Sequence, residues 1–138
     1  MNATTLIVGN VTQEPELRFT PSNKAVTNFS VAVNKRIGQG DNAKDEATFY
    51  RVTAWESLAE NIAASFSKGM RVFVYGEIHN RPYTDKEGNA RTVLELKADL
   101  AGPELRWQTA TTEKVDRGGA SKKQPTQAAA SFDDEEPF

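Results

Sequence analysis

The sequence predicts a small domain built mostly from β-strands, with one helix and a C-terminal tail of different composition. Three observations support this prediction. Several short segments before residue 101 are rich in β-branched and aromatic residues and alternate apolar with polar positions. A single segment, directly after Trp55, repeats its apolar residues at helical spacing. Beyond residue 112 no periodic apolar pattern remains, so the folded domain is predicted to span residues 1–112.

Three strands are predicted before the helix. The first is "TTLIVGNV", residues 4–11, which includes a Gly-Asn pair typical of a turn. The second is "AVTNFSVAVNKRI", residues 25–37, in which Phe29, Val31 and Val33 alternate with polar residues and are expected to share one face. A polar, glycine-containing loop, "IGQGDNAKDE", leads to the third strand, "ATFYRVTAW", residues 47–55.

The helix is predicted within "ESLAENIAASFSKG", residues 56–69. Leu58, Ile62 and Phe66 recur at positions i, i+4 and i+8, so they fall on one helical face. Gly69 is the expected C-terminal stop, because glycine readily adopts the left-handed conformation found at helix ends.

Two more strands, "RVFVYGEI" and "RTVLELKADL", are predicted after the helix, flanking a hairpin arm with a turn at residues 86–89. A last short strand is expected at "LRWQTA", residues 105–110. The order of three strands, one helix and two strands suits a five-stranded Greek-key barrel of the OB type, with the helix between strands three and four. A β-grasp fold or another small α+β sheet shares this order, so the pattern leaves those alternatives open.

Charge is distributed unevenly along the chain. Its net charge is −2, but residues 1–112 hold 13 basic and 13 acidic residues, whereas residues 113–138 hold 4 basic and 6 acidic ones. The folded part is therefore neutral, and its partners depend on where its cations point. Residues 113–132 have the composition of a flexible linker, and residues 133–138, "DDEEPF", form a separate acidic element that ends in an aromatic ring.

The third strand carries the first candidate site. Phe49, Arg51 and Trp55 are expected on one face, opposite a more apolar face that includes Val52 and Ala54. Rings that alternate with a guanidinium suit a surface on which nucleic-acid bases stack while phosphates meet a cation. The alternative is that Trp55 belongs to the core at the strand-to-helix corner and Arg51 pairs with an acid; this strand alone does not decide between them.

Other segments repeat the combination of basic and aromatic residues. Phe73, in "RVFVYGEI", suits either a ligand surface or a subunit interface. The hairpin arm suits a polyanion with exposed bases, although an ordinary solvated hairpin would carry similar residues. Single strands attract this combination because every base has a face that can stack on an aromatic ring. The further candidate residues in these segments are Arg18, Phe19, Lys35, Arg36, Arg81, Tyr83, Lys86 and Arg91.

Enzymatic functions are disfavoured by the residue content. The chain has no cysteine, and His79 is its single histidine, which excludes His-rich metal sites and disfavours a Ser/His/Asp triad. Neither GxxxxGK[ST] nor GxGxxG is present. We therefore expect no catalytic residue, metal or cofactor, with two rivals kept open: an adaptor whose aromatic rows are all interface, and a hydrolase or transferase on a small barrel.

The chain has neither an apolar run of membrane-spanning length nor the features of a signal peptide. We therefore expect no membrane partner and a cytoplasmic, nucleoid-associated location.

The chain resembles the bacterial single-stranded DNA-binding proteins, in particular their actinobacterial branch. The resemblance covers about residues 1–110 and the C-terminal hexapeptide. It is carried by "VGNVTQEPELRFTPSNKAVTNFSVAV", "FYRVTAWESLAENIAASFSKGMRVFVYGEI", "RPYTDKEGNARTVLELKADLAGPELRW" and "DDEEPF", in that order and spacing.

The resemblance implies an OB fold in a homotetramer that binds single-stranded DNA during replication, recombination and repair. It places base-stacking rings at Phe49, Trp55 and Tyr83. It places subunit contacts in residues 4–11 and 73–75, and an extra clamping strand at "LRWQTA". One further aromatic of some relatives is replaced here by Ile37, so that contact is not expected. Phosphate contacts are implied at Arg18, Lys35, Arg36, Arg51, Arg81 and Arg91.

The resemblance also implies a role for the C-terminal tip, as a docking peptide for replication and repair enzymes. A terminal ring can enter an apolar pocket while carboxylates meet arginine or lysine on the partner. A proline next to the ring reduces the entropy lost on binding. The expected docking residues are Asp133, Asp134, Glu135, Glu136, Pro137 and Phe138.

Overall fold

The computed structural model describes residues 2–116, which form six strands, one helix and two short 3-10 turns. The strands alternate β-branched or aromatic residues with polar ones, and the helix follows the one segment with helical apolar spacing. The elements are β1 (Thr4–Val11), β2 (Glu16–Phe19), β3 (Ala25–Ile37), β4 (Lys44–Trp55), α1 (Glu56–Ser65), β5 (Arg71–Thr84) and β6 (Ala90–Pro103), with 3-10 turns at Gly40–Asn42 and Leu105–Trp107.

The five long strands close into a barrel. β1 pairs antiparallel with β5, β5 with β6 and β3 with β4, and β1 also reaches β3 at Val11 opposite Val31. β6 and β4 complete the ring through a short parallel contact in which Arg51 lies opposite Glu95. Because the ring closes, the predicted OB-type barrel with one helix is confirmed, and the open β-grasp alternative is excluded.

The barrel interior is filled by the inward-facing residues of the strands. Val31, Val52 and Val74 are at most 1% exposed. The helix covers one end of this core with Ile62, and Phe66, directly after the helix, meets Phe29 edge to face with 5.8 Å between ring centroids. The predicted inward faces of the second strand and of the helix are therefore confirmed.

Three local predictions were wrong or incomplete. β2 was not predicted, and β4 begins at Lys44, inside the segment expected to be a loop. The helix ends at Ser65, because Phe66 already has an extended backbone; Gly69, with φ of +88°, lies in the turn that follows.

The predicted strand at "LRWQTA" is a 3-10 turn instead. Glu104 accepts a hydrogen bond from the backbone N–H of Arg106 at 3.0 Å. Gln108 Nε2 donates to the carbonyls of Arg71 and Glu104, at 2.7 and 2.8 Å. These contacts hold the segment against β5 as a turn.

Residues 111–116 carry neither helix nor strand. The rest of the predicted linker, 117–132, and the predicted docking tip, 133–138, lie outside the described residues. Within residues 2–116 no helix has the length and hydropathy needed to cross a membrane.

Candidate nucleic-acid interface

The outward face of β4 presents two aromatic rings and a guanidinium. Phe49 is 65% exposed and Trp55 38% exposed, whereas Val52 and Ala54 on the other face are buried. Arg51 is exposed and forms no ion pair with any of residues 2–116. The alternative in which Trp55 is enclosed in the core and Arg51 is paired with an acid is therefore not found.

An open cleft adjoins Trp55 at the end of β4. The loop between β2 and β3 turns back at Asn23, whose φ of +67° is tolerated by asparagine. This turn brings Lys24 to one side of the cleft, while Lys97 of β6 comes from the other, opposite Thr53. The cleft is lined by Thr20, Ser22, Lys24, Trp55, Glu56 and Lys97. Two ammonium groups beside an indole ring suit a nucleotide, with the base on the ring and the phosphate near a lysine.

A second open groove joins β4 to the distal β5–β6 hairpin. It is lined by Arg51, Arg81, Tyr83 and Val93. Arg81 lies opposite Val93 in the β5–β6 ladder. The parallel contact between β4 and β6 brings Arg51 to the same place, although 30 residues separate it from Arg81. Two guanidiniums and a phenol ring thus line one groove.

A buried carboxylate lies beside this second groove. Glu95 of β6 is 6% exposed. One of its oxygens, Oε1, is 3.4 Å from His79 Nε2, and the other, Oε2, is 3.3 Å from Arg81 Nε. Glu95 also lies opposite both His79 and Arg51 in the sheet register.

A chain of hydrogen bonds ties Arg18 to the outward face of β4. Arg18 donates to Asn28 Oδ1, and Asn28 Nδ2 donates to Thr53 Oγ1 at 2.8 Å. Thr53 sits between Arg51 and Trp55 on that face. Phe19, next to Arg18 on β2, points to the opposite face of the strand and is not brought to this surface.

At the turn end of the β3–β4 hairpin, each basic side chain has an acidic neighbour. Arg36 shares its face with Phe49 but lies 3.6 Å from Asp45, with both side chains well exposed. Lys35 points to the other face, opposite Glu46 in the ladder. A phosphate at either cation would therefore compete with a neighbouring acid.

The turn of the β5–β6 hairpin is organised by Asp85. Its carboxylate accepts hydrogen bonds from Arg91 Nε at 2.9 Å and from the backbone N–H of Asn89 at 2.9 Å. The Arg91 guanidinium is the main reason that the pKa of Asp85 is lowered, and the Asn89 N–H adds to the effect. Arg91 lies opposite Tyr83, and Lys86 is exposed at the turn itself.

Phe73 lies in a different region from these residues. It is half-buried, with its ring against Gly102: a Cβ on that glycine would come within 2.9 Å of Phe73 Cε1. It belongs to an apolar patch on the outside of β1, β5 and β6 that includes Leu6, Tyr75 and Leu100. Ten residues of extended strand, about 33 Å, separate Phe73 from Tyr83.

Trp107 forms a separate cluster after β6. The residue is 71% exposed, and two guanidiniums lie over its ring, with Arg71 Cζ at 4.7 Å and Arg106 Cζ at 4.4 Å from the centroid. Glu104 accepts from Arg71 Nε at 2.7 Å, and this bond is the main cause of the lowered pKa of Glu104.

Sequence reasoning missed the residues that surround the predicted ones. The β2–β3 turn and the parallel β4–β6 contact bring Lys24 and Lys97 to the cleft and the buried Glu95 beside the groove, which no local pattern indicates. Alternation in "VLELKA" was the only signal available, since it places Glu95 and Lys97 on one face. Within residues 2–116 no group of histidine, aspartate and glutamate side chains is arranged to hold a metal ion.

Comparisons with known proteins agree with this geometry. Residues 1–104 match the model of the single-strand binding protein family. A single-stranded DNA-binding protein of Mycobacterium tuberculosis is 42% identical over 141 residues, covering 97% of this chain and 86% of the relative. One from Mycolicibacterium smegmatis is 46% identical over 121 residues, covering 86% and 73%.

A crystal structure is also similar, that of the small single-stranded DNA-binding protein from Streptomyces coelicolor. It superposes with a TM-score of 0.65 at 28% identity, covering 75% of this chain and 95% of that one. The sources of these three proteins agree with the resemblance to the actinobacterial branch.

Proposed function

Because this chain belongs to the single-strand binding protein family, we propose that it binds single-stranded DNA with little sequence preference. The family consists of binding proteins and not of enzymes, so the prediction that the chain has no enzymatic activity is confirmed by its membership. We further propose that binding protects the strand during replication, recombination and repair.

One observation carries this proposal: β4 presents Phe49, Arg51 and Trp55 outward, between a lysine-containing cleft and an arginine-containing groove. Bases can stack on the exposed rings, and each such stack contributes about 1–3 kcal/mol. Phosphates can meet the cations on either side. None of these contacts reads the hydrogen-bonding edge of a base, so little sequence preference is expected. On this path we place Arg18, Arg51, Trp55, Arg81 and Tyr83, with Phe49 at its distal end.

The proposal is tested by titrating the full chain with oligonucleotides of dT, 35 to 70 nucleotides long, a length of about several OB-fold sites. We expect tight binding that weakens with salt, because neutralised phosphates release counterions. Duplex DNA of equal length should bind much more weakly, since its bases are stacked and not available to the rings. An adaptor protein whose aromatic surfaces are all interface would bind neither, and that result would overturn the proposal.

We also propose that the chain acts as a homotetramer. The apolar patch of Leu6, Phe73, Tyr75 and Leu100 supports this, because it lies apart from the proposed DNA path and exposes large apolar side chains. Mass measurement of the free protein and of its complex is the test. Leu6→Glu should dissociate the assembly, since it puts a charge into an apolar contact, whereas Leu94→Glu, at an equally exposed leucine outside the patch, should not.

We propose the acidic tip, residues 133–138, as the docking site for replication and repair enzymes, joined to the domain by a linker at residues 113–132. The support is chemical: four carboxylates precede a proline and a terminal aromatic ring. Deleting residues 133–138 should leave the affinity for dT oligonucleotides equal or higher while abolishing recruitment of such enzymes. A large loss of DNA affinity would contradict this division of labour. A cytoplasmic, nucleoid-associated location is proposed with it.

A further inference from the structure

The buried carboxylate of Glu95 is not used by the proposed function, yet it holds one of the arginines that line the groove. The inference drawn from it rests on the proposed binding of single-stranded DNA. Glu95 is 6% exposed, whereas its partners His79 and Arg81 are 41% and 45% exposed in their side chains. The acid is therefore fixed inside the sheet, while both partners can be reached by a ligand.

The Arg81 Nε–Glu95 Oε2 ion pair spans 3.3 Å and the His79 Nε2–Glu95 Oε1 contact spans 3.4 Å, both longer than a tight charge-assisted hydrogen bond. A phosphate oxygen in the groove can therefore compete with Glu95 for the Arg81 guanidinium. If Arg81 turns toward a phosphate, Glu95 would lose its permanent cation. A buried charge without a partner is costly, so another positive charge must replace it.

His79 is the group placed to supply that charge. Its Nε2 already lies beside Glu95 Oε1, and histidine is the side chain that ordinarily gains a proton between pH 5 and 8. Other charged groups face it from its own strand and from the neighbouring strands. They are Glu77 and Arg81 on its own strand, Glu95 and Lys97 on β6, and Arg51 beyond them on β4, while β1 ends its pairing at the level of Glu77.

We propose that Glu95 is a positioning residue for DNA phosphate: it holds Arg81 at the groove until a phosphate binds there, and His79 then takes up a proton to balance the carboxylate. One proton bound with the DNA means that affinity rises as pH falls. By linkage, the uptake of one proton gives a gain of at most tenfold per pH unit. The chain has one histidine, so any part of the pH dependence of DNA affinity that comes from histidine comes from His79.

The test is the affinity for a dT oligonucleotide between pH 6 and 8.5 at constant ionic strength, for the full chain and three variants. We expect the unaltered protein to bind more tightly at lower pH. His79→Gln, which keeps a neutral polar group, and Glu95→Gln should each flatten the profile. Glu60→Gln is the matched control, because it removes one negative charge from an exposed position on α1 and should keep the slope.

A second measurement separates positioning from general charge effects. Replacing Arg81 with Gln should change the affinity by a different amount in the Glu95→Gln background than in the unaltered protein, because the two side chains are in contact and their effects are coupled. Thermal unfolding shows whether Glu95→Gln folds; if it does not, the unaltered protein and His79→Gln decide the matter alone.

The inference is overturned by a flat profile in the unaltered protein, by a slope that persists in His79→Gln, or by additive effects of the Arg81 and Glu95 substitutions. These results differ from failure of the proposed function. A protein that binds dT oligonucleotides at every pH but with a flat profile loses only this inference. One that binds at no pH loses the function itself.

Discussion

Replacing Trp55 with alanine tests the proposed stacking surface most directly. Trp55 is 38% exposed, so one part of it is available to a base while the rest packs at the junction of β4 and α1. A base stacked on an aromatic ring contributes about 1–3 kcal/mol, and partial exposure places Trp55 near 1.5 kcal/mol, which is roughly a tenfold loss of affinity. Losing the packed part should also lower the unfolding free energy by about 2 kcal/mol, less than for a fully buried ring.

The chain has two tryptophans, so replacing one of them makes tryptophan fluorescence report on the other alone. Trp107 lies in its own cluster with Arg71 and Arg106, so Trp107→Phe keeps an aromatic ring there and leaves Trp55 as the single indole. In that background, binding of a dT oligonucleotide should quench the remaining fluorescence strongly. Thermal unfolding of Trp55→Ala establishes that the domain is folded at the temperature of the titration.

Either of two results would contradict base stacking on Trp55. Trp55→Ala could bind with unchanged affinity, which would mean that no base stacks there. Alternatively, the Trp107→Phe protein could bind tightly without any quenching, which would place the strand elsewhere on the barrel. Trp55→Phe, which keeps a smaller ring, should fall between the unaltered protein and the alanine variant.

Three further predictions concern the hairpin and the sheet. Tyr83→Ala should weaken dT binding by about 1–3 kcal/mol, whereas Tyr83→Phe, which keeps the ring, should bind nearly normally in the same titration. The pKa of Asp85 is lowered mainly by Arg91. The Asp85 carboxylate therefore stabilises the fold above its unfolded pKa, and this contribution is lost as pH falls through the lower folded pKa. Arg91→Gln should raise the Asp85 pKa in an NMR titration. Gly76→Ala should lower the unfolding free energy by more than about 3 kcal/mol in a denaturant titration, because the added Cβ would lie 2.0 Å from the Lys97 backbone oxygen. Gly88→Ala should lower it by about 1 kcal/mol, because Gly88 has a φ of +86° but no atom near the added Cβ.

Local features of the fold could be predicted from the sequence because their causes are local. Alternation in β4 placed Val52 inside and Phe49 outside, and helical spacing placed Ile62 in the core. The turn of the β5–β6 hairpin was placed at residues 86–89, and the structure confirms it between Thr84 and Ala90. In each case the signal lies within a few residues of the element it describes.

The rest depends on contacts between distant parts of the chain. The parallel register of β4 and β6 decides that Arg51 shares a groove with Arg81 and neighbours Glu95, and nothing in either segment indicates this register. The 3-10 turn after β6 is similar, because it is held by Gln108 through the carbonyl of Arg71, 37 residues away. Arg36 was predicted to contact phosphate from its residue type, but the sequence did not indicate that Asp45 would lie beside it.

The β3–β4 ladder runs from Val26 opposite Trp55 to Ile37 opposite Lys44, and its last residues, 34–37, are exposed on both faces. No core packing supports that end, so its backbone hydrogen bonds can open without disturbing the barrel. Amide hydrogens should accordingly exchange with solvent fastest near Ile37 and slowest near Val31, in a gradient along one continuous strand. A strand of this kind can bend at its tip to follow a curved ligand while its root stays rigid.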